Sequence, residues 1–229
     1  MKMPISKKII ILCTLGPSSF NKTFLEFANK NVNLLRINLS HVSLKILPGL
    51  IKKIRLYSKV PICIDTEGAQ IRTKIKKKRF LKKNSSIKIF RKNNEFSLYP
   101  LEVFDKLKIG DKLDVGFGGL KVQIKQKNKS VLISKVLSEG MLEQNKGVHL
   151  INRPIKLNYV TEKDLKAIDI SKKLKIKYFA LSFTNSSNDV KNFNSLLKSE
   201  NKIFKIETKM ALKNLKKIIS LGKFFLIDR

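Results

Sequence analysis

Two stretches of this chain place polar side chains where a buried strand should carry Val or Leu. Residues 203–207 read Ile-Phe-Lys-Ile-Glu, and residues 34–41 read Leu-Leu-Arg-Ile-Asn-Leu-Ser-His. Side chains on a strand alternate between its faces. Lys205 and Glu207 therefore share one face, and Arg36, Asn38 and Ser40 line up against Ile37 and Leu39 on the other. Polar rows inside apolar strands point to a site assembled at parallel strand ends. That constrains the fold more than any bulk property.

The pattern between these rows agrees. Lys8–Thr14, Asn33–Leu39 and Val60–Asp65 read as buried strands. Between them, Asn21–Lys30 and Leu44–Ser58 carry apolar residues at helical spacing. Pro48 suits a first helical turn, so the second helix is expected to begin a few residues late. From Thr161-Glu-Lys-Asp164, a helix-start capping pattern, the rhythm resumes. It predicts a helix to Leu174, strand Lys177–Phe183, helix Asn188–Leu197, strand Lys202–Ile206, helix Met210–Leu221 and strand Lys223–Ile227. Alternating strands and helices imply a parallel sheet or barrel. Residues 74–152 break the rhythm. Short alternating runs (Ser86–Phe90, Lys121–Lys125, Ser130–Val136) separated by Gly110-Asp111, Gly118-Gly119 and Asn128-Lys129 predict a small inserted antiparallel β domain.

Composition excludes some functions. No run approaches 18 apolar residues, so no transmembrane helix is expected, and Met1–Ser6 lacks the features of a signal peptide. Cys13 and Cys63 lie in apolar strands and read as buried thiols of a reducing cytosol. The formal charge of +32 invites a nucleic-acid reading. However, only seven of the 49 basic residues are Arg and the Lys residues are dispersed, so no specific nucleic-acid site is expected. The dense run Lys74–Lys83 reads as a solvated segment entering the insertion.

Taken in order, Ile11-Leu-Cys-Thr-Leu-Gly-Pro17, Leu35-Arg-Ile-Asn-Leu-Ser-His41, Ile62-Cys-Ile-Asp-Thr-Glu-Gly68 with Ile71-Arg-Thr73, Asn145-Lys-Gly-Val-His149 with Val160-Thr-Glu-Lys-Asp164, and Phe204-Lys-Ile-Glu207 resemble the pyruvate kinase family across the whole chain. The resemblance implies a (β/α)8 TIM-type barrel with an all-β lid inserted after the third strand. The barrel would comprise residues 1–73 and 153–229 and the lid 74–152. No counterpart of the family's C-terminal domain is expected within these 229 residues.

The resemblance also implies phosphoryl transfer from phosphoenolpyruvate to ADP, giving pyruvate and ATP in the cytoplasm. In that reading Lys205 stabilises the transferring group and the enolate oxygen, and Arg36 contacts phosphate. Glu207 binds Mg2+ (or Mn2+), while Asn38, Ser40, Asp65 and Thr66 hold K+. Thr14, Pro17, Asn38, His41 and Arg72 surround the nucleotide. On bare residue chemistry, Arg36 and Arg72 serve equally as ion-pair partners of Asp65 or Glu67, and the Asn, Ser, Thr and Pro residues as turn or cap residues.

Some positions depart from the family. Gly68-Ala69-Gln70 replaces Gly-Pro-Glu, Gly116 and Phe117 replace paired Asp residues in the lid, and Thr184-Asn185 stands where the family has an Arg. The chain stops at Arg229, before the family's second metal carboxylate and its last two barrel strands. It is therefore expected to be an incomplete record of a longer protein, inactive alone, with homo-oligomers confined to a full-length form. The alternative is a non-catalytic relative that binds phosphorylated ligands or a partner.

Overall fold

The computed structural model describes residues 9–92 and 95–228. Lys8, in the first expected strand, and Arg229, in the terminal motif, lie outside them. The chain divides into two compact units, one of Met1–Ala69 with Tyr159–Arg229, the other of Gln70–Asn158.

The first unit begins with β1 (Leu12–Thr14), α1 (Lys22–Asn31), β2 (Leu34–Asn38), α2 (Leu47–Tyr57) and β3 (Ile62–Asp65). Local chemistry fixes the boundaries. Asn21 caps α1 by accepting the Phe24 amide at 2.9 Å. Pro48 sits in the first turn of α2, which accounts for its late start.

The chain then enters the second unit through β4 (Ile71–Ile75), β5 (Arg79–Leu81), β6 (Ser86–Phe90), β7 (Phe96–Tyr99), α3 (Glu102–Lys106), β8 (Lys112–Val115), β9 (Leu120–Lys127), β10 (Val131–Ser138), β11 (Gly140–Leu142) and β12 (Gly147–Leu150). Seven of these strands close a barrel in the order β10-β6-β7-β4-β12-β8-β9 around its own apolar core. The expected insertion of 74–152 lies inside this unit, and β4 belongs to it because it pairs with β7 and β12. The barrel is not purely antiparallel, since β6 and β7 meet in parallel at Phe90 and Ser97. The run Lys74–Lys83 is also not merely solvated chain. Its lysines are exposed, but Arg79–Leu81 pairs with β11.

Returning to the first unit, the chain forms α4 (Glu162–Lys173), β13 (Tyr178–Leu181), α5 (Ser187–Leu196), β14 (Asn201–Ile206), α6 (Lys209–Lys213), α7 (Leu215–Ile219) and β15 (Phe224–Ile227). Thr161 and Asp164 form the predicted capping box of α4. The single helix expected over Met210–Leu221 is broken at Asn214. The Asn214 side chain donates to the Asn185 carbonyl at 2.8 Å, and its backbone leaves helical geometry.

The six strands of this unit form one parallel sheet, in the order β1-β2-β3-β13-β14-β15, an arc of a TIM-type barrel. Strand residues in register share a face, so period two sorts the side chains into two sets. Leu35, Ile37, Ile62, Ile64, Phe179, Leu181, Phe204 and Ile206 meet the helices in the main core. The opposite face starts with a small apolar layer of Leu34, Cys63 and Ala180, flanked by Leu12, Tyr178 and Ile203. Cys63 is buried there, and burial pushes its thiol well above the ordinary range. Cys13 faces the helix side and is only half-buried, contrary to the expectation of two buried thiols.

Phe204 anchors the helix face. It is 1% exposed and meets Phe193 edge-on, with ring centroids 6.1 Å apart. Phe204→Ala is expected to cost about 3–5 kcal/mol by removing a buried ring. Equilibrium denaturation checks this, and a loss below about 1 kcal/mol, typical of surface changes, would contradict the packing described.

Candidate active site

On the face that carries the small apolar layer, the next residues toward the carboxyl ends of the strands are polar. Register brings them level. Thr14 lies opposite Arg36 and Asn38 opposite Asp65, which also faces Ala180. On β14 and directly past its end, Lys205 and Glu207 continue the face that carries Ile203. Carboxyl strand ends are where barrels of this type assemble their sites.

Lys205 is the hub. Its side chain is 5% exposed, and Nζ lies 3.2 Å from Asp65 Oδ2, 3.3 Å from Glu207 Oε1 and 3.3 Å from Asp228 Oδ2. It also donates to Ser182 Oγ at 3.1 Å. Arg36 supplies the second cation. Its Nη1 lies 3.5 Å from Asp65 Oδ2 and 3.6 Å from Asp228 Oδ2, and its Nε donates to Thr14 Oγ1 at 2.7 Å.

Three carboxylates thus face two cations. Burial would discharge Lys205, but Asp65 and Glu207 outweigh it and hold the ammonium above its usual range. Burial pushes the Asp65 carboxyl upward, against the pull of Lys205 and Arg36. It pushes Glu207 upward too, opposed chiefly by Lys205 and by the Phe183 amide, which donates to Glu207 Oε2 at 2.7 Å.

The oxygen-rich corner lies alongside. Asn38 Oδ1 accepts the Ser40 amide at 2.9 Å, in the short turn Leu39–His41 that ends β2. Thr66 Oγ1 accepts the Ser182 amide at 3.0 Å. The turn after β3 is held from below by Asp164, which is fully buried. Its carboxylate accepts the amides of Glu67 (2.7 Å), Gly68 (3.1 Å) and Thr161 (2.9 Å). Glu67 pairs with Lys163 at 2.8 Å and not with Arg36.

The sheet therefore gathers Thr14, Arg36, Asn38, Ser40, Asp65, Thr66, Lys205 and Glu207 at one end. Pro17, which opens the turn after β1, and His41 are both exposed. Arg72 belongs to the other unit, where it stands on β4 and donates to the Asn145 carbonyl at 3.3 Å.

Two site residues escape sequence reasoning. Ser182 follows β13 and Asp228 follows β15, and each is a single polar residue without an alternating partner. Their signal is positional: Ser182 sits near the carboxyl end of the strand predicted over Lys177–Phe183, and Asp228 directly follows the strand predicted over Lys223–Ile227.

The arrangement suits hard cations and phosphate. Among the described residues no three His, Cys, Asp or Glu side chains form a closed metal cage. Mg2+ does not require one, since it binds through one or two carboxylates plus substrate oxygens. Glu207, with Asp228 beside the same ammonium, offers carboxylates of that kind. The neutral and anionic oxygens of Asn38, Ser40, Asp65 and Thr66 are the donor types a monovalent cation takes.

A family model described as "Pyruvate kinase, barrel domain" matches residues 6–229. Curated pyruvate kinases of Clostridium perfringens and Staphylococcus epidermidis are 29% and 28% identical to the chain over 97% of its length. The chain spans 51% and 41% of those relatives, so it covers about half their length or less. The crystal structure of Cryptosporidium parvum pyruvate kinase superposes with a TM-score of 0.84 at 25% identity, over 94% of this chain and 50% of that one.

Gly68 is the tightest point of the site. Its φ is +64°, and a Cβ there would lie 2.5 Å from the Ser182 carbonyl oxygen. Gly68→Ala should cost more than about 2 kcal/mol, combining left-handed strain with the clash. Thermal or urea unfolding measures it. A neutral substitution would show that the β3 turn and Ser182 are not packed as described.

Proposed function

We propose, for a chain that belongs to the pyruvate kinase family, that the strand-end site carries phosphoryl transfer between phosphoenolpyruvate and ADP. In that reaction the bond from phosphorus to the enol oxygen breaks and a bond to a terminal oxygen of ADP forms. The enolate left behind takes a proton at carbon to give pyruvate. Little covalent chemistry falls to the protein, so positioning and charge stabilisation do the work.

The observation that carries this reading is Lys205, an ammonium kept charged in a nearly dry site by Asp65, Glu207 and Asp228. Its role would be to face the transferring phosphoryl group and the enolate oxygen, where negative charge grows. Arg36, anchored by Thr14, Asp65 and Asp228, would bind the phosphate. Glu207 would hold the divalent ion (Mg2+ or Mn2+), and Asn38, Ser40, Asp65 and Thr66 would hold K+. When bound, these ions supply neutralisation of phosphate and enolate charge. Thr14, Pro17, Asn38 and His41 would contact the nucleotide. No described helix is long and apolar enough to cross a membrane, in keeping with a cytoplasmic enzyme. Homo-oligomers would belong to the full-length form.

The departures favour one rival. Phe117, where the family places an acidic residue, is 64% exposed at a left-handed position of the lid unit. A non-catalytic phospholigand-binding protein would retain the cations and lose turnover.

The test is steady-state assay of the intact protein as the cell makes it. Turnover of phosphoenolpyruvate and ADP is expected to require Mg2+ and to fall when K+ is replaced by tetramethylammonium. Lys205→Met should lower kcat by about 10²–10³-fold or more, the scale for removing a charge-stabilising donor. Magnesium-dependent binding of phosphoenolpyruvate without turnover would instead establish the rival.

A further inference from the structure

Ser182 has no role in the scheme above, yet it hydrogen-bonds three of its residues, Asp65, Thr66 and Lys205. It is 3% exposed. Its hydroxyl donates to Asp65 Oδ1 at 3.0 Å and accepts from Lys205 Nζ at 3.1 Å, while its amide donates to Thr66 Oγ1 at 3.0 Å. Its carbonyl lies against Gly68, which leaves no space there for a side chain.

A hydroxyl has one hydrogen, and this one is committed to Asp65. Lys205 can only donate, so the Ser182 lone pair must face it. The rotor is therefore locked at both ends. The Lys205 ammonium has three hydrogens and four acceptors within reach, namely Ser182, Asp65, Glu207 and Asp228. Ser182 is the neutral acceptor in that set. Without it, the three hydrogens are left to the three carboxylates, and the ammonium loses its contact with a hydroxyl that is itself held on Asp65.

We propose that Ser182 is a positioning residue that couples the oxygens of the monovalent-cation corner, Asp65 and Thr66, to the Lys205 ammonium. This rests on the reading of that corner as the K+ site. Any shift of Asp65 or Thr66 toward a cation moves the Ser182 hydroxyl and amide together, and with them the point at which Lys205 is held. In reverse, the locked hydroxyl keeps Asp65 Oδ1 oriented for the cation. One hydroxyl thus serves both binding of the cation and placement of the ammonium.

The experiment compares Ser182→Ala, Ser182→Cys and Thr184→Val in the intact protein. Thr184 is a matched control, since its buried hydroxyl donates only within the same turn, to the Leu181 carbonyl at 3.1 Å. K+ binding is read without substrate, as the K+ concentration giving half of the rise in unfolding temperature. Turnover is then read at saturating K+.

Ser182→Ala should raise the K+ half-saturation at least fivefold. It should also lower kcat about ten- to hundredfold, the scale of a lost hydrogen bond to a charged group, with a smaller change in KM for phosphoenolpyruvate because Arg36 is untouched. Ser182→Cys, retaining a weak S–H, should fall between, and Thr184→Val should change neither quantity by more than about twofold. If Ser182→Ala shifts only the unfolding temperature, as Thr184→Val does, Ser182 is structural and the coupling is refuted. If the unsubstituted protein shows no K+ dependence in either measurement, the cation reading fails first and the coupling falls with it. Should Ser182→Ala not fold, the Cys variant decides, and an unchanged K+ half-saturation there refutes the proposal.

Discussion

The first unit turns on one ammonium group surrounded by carboxylates at the open end of a parallel sheet. Lys205 and Asp65 are almost wholly removed from solvent. Taking such charges out of water costs several kcal/mol each, and replacing a buried ion pair by apolar side chains is often neutral or stabilising. A chain selected for stability alone would put Val or Leu at 36, 65 and 205. Keeping two cations and three carboxylates there is intelligible if the cluster exists to meet a ligand whose charge changes during reaction. Removing one member then does more harm than the pair was ever worth, because a buried charge is left without its counterpart.

The supports around the cluster are as informative as the cluster. Asp164 receives three amides and ties the turn after β3 to the start of α4. Gly68 lets that turn press against Ser182, and the Phe183 amide fixes Glu207 from the neighbouring strand end. Apart from the local Thr161 cap, each contact joins residues far apart in sequence, so the site depends on the sheet being formed.

Much of the fold was legible because it rests on local rules. Period-two alternation put Arg36 with Asn38, and Lys205 with Glu207, on a common face of their strands, and Thr161 with Asp164 announced α4. The break at Asn214 was not legible, because a tertiary hydrogen bond to Asn185 overrides a helical apolar pattern. Closure of the second unit into a barrel, with one parallel contact, depends on non-local pairing that hairpin signals do not reveal. In the site, types and spacing exposed the residues that sit in runs. Ser182 and Asp228 stand alone after their strands and acquire meaning only when the sheet brings them beside Lys205. The partner of Glu67 was likewise decided by α4, which presents Lys163, and not by its sequence neighbours.

The most direct measurement of the central claim is a crystal structure of the intact protein with phosphoenolpyruvate or a non-transferable analogue bound. The enol or enolate oxygen is expected at hydrogen-bond distance from Lys205 Nζ, about 2.7–3.1 Å, with Arg36 on the phosphate. Finding the ligand elsewhere, with Lys205 still enclosed by Asp65, Glu207 and Asp228, would show that the cluster is a structural ion-pair network and not a site of phosphoryl transfer.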